Sequence, residues 1–116
     1  MEDRNKQIVE VVDKWIPKFA DKKTIHLVAE QIDFGDDCFA LKFEMDCGQS
    51  FQEKYNCPLE KAMSIADQVD DLDCIASAIF SYWRYFNHWA YFPSEIRDHQ
   101  DWFIVMLNRL KELAAR

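Results

Sequence analysis

Glycine and proline are scarce in this chain: two and three, respectively, in 116 residues. That excludes collagen-like, elastic and linker-dominated polymers, and leaves almost nothing from which to build a glycine-rich phosphate cradle. Long apolar runs are missing as well. The longest, residues 102–107, has six members, against the ~18 that a membrane-spanning helix needs. The N-terminal stretch Met1, Glu2, Asp3, Arg4, Asn5, Lys6 is charged and lacks the apolar centre of a signal peptide. No membrane partner is therefore expected, and the location expected is cytoplasmic.

Motifs with specific chemistry are also absent. The four cysteines, Cys38, Cys47, Cys57 and Cys74, are separated by eight, nine and sixteen residues, with no Cys-x-x-Cys and no His-x-x-x-His, so a structural zinc site is not expected. Gly35 is misplaced for a calcium loop, and the acidic run 67–73 has neither a glycine nor a distal bidentate glutamate. There is no nucleophile elbow and no His-Glu metal motif. No metal and no cofactor are expected. A chain of this length can bury one core without staples, so the cysteines are expected as free thiols of an intracellular protein.

What is present is a sequence 49% hydrophobic and 15% aromatic, with 21 acidic and 14 basic side chains and a net charge of -7. It reads as a single compact domain over residues 1–116. Ile8, Val11, Val12, Trp15, Ile16 and Phe19 recur at helical spacing and predict an N-terminal helix, ended or kinked near Ile16 by Pro17. From Thr24 the period changes from about four to two: Phe39, Leu41, Phe43 and Met45 alternate with Ala40, Lys42, Glu44 and Asp46, which predicts a half-buried strand. Residues 24–34 predict its hairpin partner across a turn at Phe34, Gly35, Asp36 and Asp37, and residues 51–55 a weaker third strand beyond Cys47 and Gly48. Three helices follow. The first starts at Pro58, the second is capped by Asp70 or Asp71 and runs to about Ala90, and the third starts near Ser94 or Asp98. The expected fold is α+β: an N-terminal helix, a three-stranded antiparallel β-meander, and three C-terminal helices packed on one face of the sheet.

Two features stand out. Residues 80–92 hold eight aromatics in thirteen positions; Phe80, Trp83 and Phe86 continue the inward stripe, while Tyr82, Tyr85 and Trp89 fall on a flank. That flank reads either as the rim of a central helix or as an interface, where such residues concentrate binding energy. The second feature is charge placement. Between Glu30 and Asp73 there are twelve acidic and three basic residues, a block of -9 inside a slightly basic frame. It reads as a solubilising face or as a surface that attracts a basic partner, and it disfavours direct binding of nucleic acid.

The leading expectation is a small, non-enzymatic interaction domain that binds a basic, nucleic-acid-binding surface of a partner protein through Asp33, Asp36, Asp37, Glu44, Asp46 and Glu53. Its size, acidity and lack of catalytic motifs are similar to those of phage-encoded inhibitors, including anti-CRISPR proteins; the similarity is one of type and rests on no residue motif. A competing expectation is a homodimer that buries Tyr82, Tyr85 and Trp89. A third is a thiol enzyme using Cys57, whose place ahead of the helix at Pro58 would favour a thiolate. In the predicted meander Cys38 would also approach Cys57, as neighbouring thiols or a redox-sensitive bridge.

Overall fold

The computed structural model describes residues 2–21, 28–44, 46, 48–85 and 99–116. Among them the chain is helical and contains no strand. The elements are α1 (Glu2–Ala20), α2 (Val28–Ala40), α3 (Gln49–Tyr55), a 3₁₀ helix (Leu59–Gln68), α4 (Leu72–Tyr85) and α5 (Gln100–Ala114). The α+β expectation, with its meander and its sheet-backed helices, is thus overturned.

The reason lies in residues 34–43, where two periods overlap. Phe34, Cys38 and Leu41 are buried at i, i+4 and i+7, the stripe of a helix. That stripe governs the backbone, and the alternation of Phe39, Leu41 and Phe43 is produced by the way α2 ends. Lys42 takes a left-handed conformation at φ 62°. Its N–H donates to the Phe39 carbonyl at 2.9 Å, and the Phe43 N–H donates to the Cys38 carbonyl at 3.1 Å. This is the paired hydrogen-bond pattern of a Schellman C-terminus. Phe43 is folded back and buried while Phe39, on the helix exterior, is exposed. A strand would have put both on one face.

Residues 51–55, the expected third strand, lie in α3. Phe51 and Tyr55 sit one turn apart with ring centroids 5.0 Å apart, and Gln49 Nε2 donates to Glu53 Oε1 at 2.9 Å across the same i, i+4 spacing. The turn expected at Gly48 does exist, at φ 74°, but it opens into this helix. Nor does Gly35 lie in a turn: it is inside α2.

Pro17 does not end α1, which runs on to Ala20. Phe19 explains why: it is fully buried, stacked on Phe103 with centroids 4.7 Å apart and edge-on to Phe34 at 5.1 Å. Burial of such a ring offsets a local backbone defect. With Trp15, these rings join α1, α2 and α5 into the core. The 3₁₀ helix is held at its two ends by α5: Trp102 Nε1 donates to the Leu59 carbonyl at 2.7 Å, and Arg109 Nε to the Val69 carbonyl at 2.8 Å. Asp71 caps α4 through the Cys74 N–H at 3.1 Å. The proposed caps Ser94 and Asp98, and the extension of α4 to Ala90, lie outside the described residues. No helix of the described residues is long and apolar enough to cross a membrane.

Candidate functional site

Helix α2 has two unlike faces. Its inner face carries Phe34, Gly35 and Cys38, all buried, and its outer face carries Ile32, Asp33, Asp36 and Phe39, all exposed. Phe39 is 77% exposed and Ile32 53%, large values for side chains whose burial ordinarily contributes ~1.5–3 kcal/mol each. Among the described residues Asp33 and Asp36 have no hydrogen-bond or ion-pair partner.

A groove of about 490 Å³ runs beside this face, lined by Gly35, Asp36 and Phe39 from α2, Phe43 from the Schellman reversal, and Phe80, Trp83 and Arg84 from α4. That volume lies in the range of sites for small ligands or single side chains. Phe80 and Trp83 are stacked at 5.7 Å with planes 25° apart, and the absence of a side chain at Gly35 lets the Trp83 indole close in on α2. Four aromatic rings thus line a groove with a carboxylate on one wall and the exposed Arg84 guanidinium on the other.

The six carboxylates expected to form a sheet face have no sheet to sit on. Asp33 and Asp36 share the outer face of α2. Asp37 turns inward instead, where its Oδ2 accepts from Trp15 Nε1 at 2.7 Å and from Lys14 Nζ at 3.0 Å. Asp46 is also occupied: Oδ1 accepts from the Gly48 N–H at 3.0 Å and from Ser77 Oγ at 2.7 Å, and Oδ2 from the Ser50 N–H at 3.2 Å. Partial burial pushes the Asp46 carboxyl up, but the hydrogen bonds from Ser77, Ser50 and Gly48 outweigh it and hold the group below its ordinary range. It caps α3 and ties that helix to α4. Glu53 belongs to the outer surface of α3, and Glu44 borders a second pocket.

That second pocket is lined by Arg4, Lys42, Glu44, Ser50, Asp73 and Ser77, among others. Its guanidinium is engaged already: Arg4 Nε donates to the Leu41 carbonyl and Nη1 to Asp73 Oδ1, each at 3.1 Å. These contacts secure α1 against the end of α2 and the start of α4.

Of the aromatic flank, Tyr82 is 6% exposed, with its ring 4.0 Å from that of Trp102 and its hydroxyl 3.3 Å from His99 Nδ1. It is a core residue of the α4–α5 contact. Tyr85 is 54% exposed, and Trp89 lies outside the described residues. Cys38, Cys57 and Cys74 are free thiols, and without strands the pairing that would bring Cys38 to Cys57 has no basis. The Cys57 thiol is raised, by burial first and then by Glu60, with Lys61 opposing, a direction opposite to the thiolate-favouring one expected. Cys47 lies outside the described residues. Among the described residues no group of three His, Cys, Asp or Glu side chains could hold a metal ion.

Sequence reasoning missed Ile32, Phe39, Trp83 and Arg84 as surface partners of Asp33 and Asp36. The signal was available, since Ile32, Asp36 and Phe39 fall at i, i+4 and i+7 and share one face once the segment is read with a helical period. Compared with known protein families, curated proteins and solved structures, the chain matches none of them.

Proposed function

We propose that this protein is a non-enzymatic interaction domain that docks on a basic surface of a partner protein through the outer face of α2. One observation carries the reading: two large exposed apolar side chains, Ile32 and Phe39, flank two carboxylates, Asp33 and Asp36, that have no partner among the described residues, beside an aromatic groove. Apolar area at the centre of a contact supplies affinity, and charge around it supplies steering and choice of partner. The acidic block of the sequence favours a basic partner, and a net charge of -7 opposes self-association. Where the partner's basic surface is the one it uses for nucleic acid, docking would inhibit it. A cytoplasmic location belongs to the same proposal, supported by unbridged thiols at Cys38, Cys57 and Cys74.

The test is site-specific photo-crosslinking in an extract of the source cells, with the crosslinker at position 39 or, as control, at the exposed Met63. A salt-sensitive crosslink to a basic protein from position 39 alone, lost in the double variant Asp33→Lys, Asp36→Lys, is the expected result. Equal crosslinking from both positions, or no effect of the charge reversal, overturns the reading.

A further inference from the structure

The groove between α2 and α4 has a chemistry more specific than an apolar slot. Phe39, Phe43, Phe80 and Trp83 line it, and Asp36 lines it from the α2 side. Aromatic faces carry negative charge density and attract cations, most strongly when a carboxylate stands nearby and water is partly excluded. Asp33 lies one turn away on the same face and, like Asp36, has no partner among the described residues. Resting on the interaction reading above, we infer that this groove receives an arginine or lysine side chain of the partner, its aliphatic stem against the rings and its charge toward Asp36.

A leucine or phenylalanine would fill the groove but leave the Asp36 carboxylate to be desolvated without compensation. A second copy of this chain is a poorer occupant. It would bring another charge of -7, and would set a second Asp33 and Asp36 into the same contact. Arg84, which is exposed and also lines the groove, gives the site polarity. It repels a cation placed on the α4 side, so the positive charge belongs on the α2 side, while its own guanidinium faces a carbonyl or carboxylate of the partner. The two walls therefore make opposite predictions, which a purely apolar groove does not.

The test titrates the isotope-labelled protein with N-acetyl-arginine amide, with N-acetyl-citrulline amide as the neutral isostere, and with N-acetyl-leucine amide, following the Trp83 indole and Gly35 amide resonances by NMR. Saturable shifts are expected with the arginine compound, at least about threefold tighter than with either neutral compound. Asp36→Asn and Phe39→Ala should each weaken binding by about threefold, and Arg84→Gln should tighten it by a similar factor. All three positions are outside the packed core, and unchanged melting temperatures of the variants verify that the fold is intact. Equal binding of the three compounds overturns the cation assignment, and absence of any saturable shift overturns the site. The crosslinking test separates this from the broader reading: a null titration with the position-39 crosslink intact rejects only the groove, whereas a saturable titration with no salt-sensitive crosslink rejects only the partner-docking role.

Discussion

The indole of Trp83 on α4 occupies the space that a side chain at position 35 of α2 would need. A β-carbon built on Gly35 would overlap Cη2, Cζ2 and Cζ3 of that ring. Glycine inside a helix is unfavourable by roughly 0.5–1 kcal/mol relative to alanine, yet one of the two glycines in the chain is placed there. The close approach it permits sets one wall of the groove. Gly35→Ala should therefore lower stability by about 1–3 kcal/mol, the overlap outweighing the gain in helix propensity. Urea unfolding measures it, and a stabilised variant would show that Trp83 is not seated there.

The end of α2 offers a test that separates helix from strand by sign. Lys42 stands at φ 62°, a conformation unfavourable by roughly 1–2 kcal/mol for a residue with a β-carbon. Lys42→Gly should raise stability by about 0.5–1 kcal/mol. In a strand the same change would weaken the protein, so a fall in the unfolding midpoint would contradict the Schellman reversal.

Two neighbouring aspartates on α2 should behave differently. Asp37→Ala removes the acceptor of the buried Trp15 indole N–H and should cost about 1–3 kcal/mol. Asp33→Ala should stay within about 0.5 kcal/mol of wild type. Equal effects in equilibrium unfolding would mean that Asp37 is not a cross-link between α1 and α2.

Asp46 predicts a pH dependence with a definite sign. Its carboxyl is held below the ordinary range in the folded protein, so the unfolded chain takes up a proton first as pH falls. The stabilisation it contributes is complete above the ordinary carboxylate range and is lost as pH falls through that range and on through the depressed folded value. Asp46→Ala should cost about 2–3 kcal/mol at pH 7, from loss of the cap on α3 and of the partner of buried Ser77. The difference from wild type should narrow in acid, as followed by chemical unfolding at a series of pH values. A difference that does not change with pH would sink this assignment.

Thiol labelling checks the cysteine assignments, using a chain with Cys47→Ser. Burial raises the thiols of Cys38, Cys57 and Cys74, with Asp37, Glu60 and Asp71 respectively adding to the shift. Each then holds less thiolate at neutral pH than an ordinary cysteine. All three should react more slowly with iodoacetamide at pH 7.5 than free cysteine does, with Cys38 slowest; rapid labelling of Cys57 would favour the thiol-enzyme reading instead.

The outer helices were legible because their apolar stripes are long and uninterrupted. Ile8, Val12, Trp15 and Phe19 are buried on α1, and Phe103, Met106, Leu107 and Leu110 on α5. The middle of the chain was not legible for a physical reason: Phe39, Leu41 and Phe43 alternate like a strand across a helix end, and local pattern does not weigh that alternation against the competing stripe of Phe34, Cys38 and Leu41. The candidate site suffered most. Its carboxylates could be counted along the chain, but whether each faces water or an internal donor depends on residues far away in sequence, as Asp37 with Trp15 and Asp46 with Ser77 show.

By itself the sequence determined the acidic block, the lack of any glycine-rich phosphate loop, and the amphipathic ends of the chain, because these depend on composition and on local spacing alone. Only the tertiary structure decided that the middle is helical and that Phe39 stays outside while Phe43 turns in. It alone parted Asp33 and Asp36, which have no partner among the described residues, from Asp37 and Asp46, consumed in holding helices together. Those outcomes are set by which side chains meet across helices, where burial of rings and hydrogen bonding of buried donors outweigh local propensity.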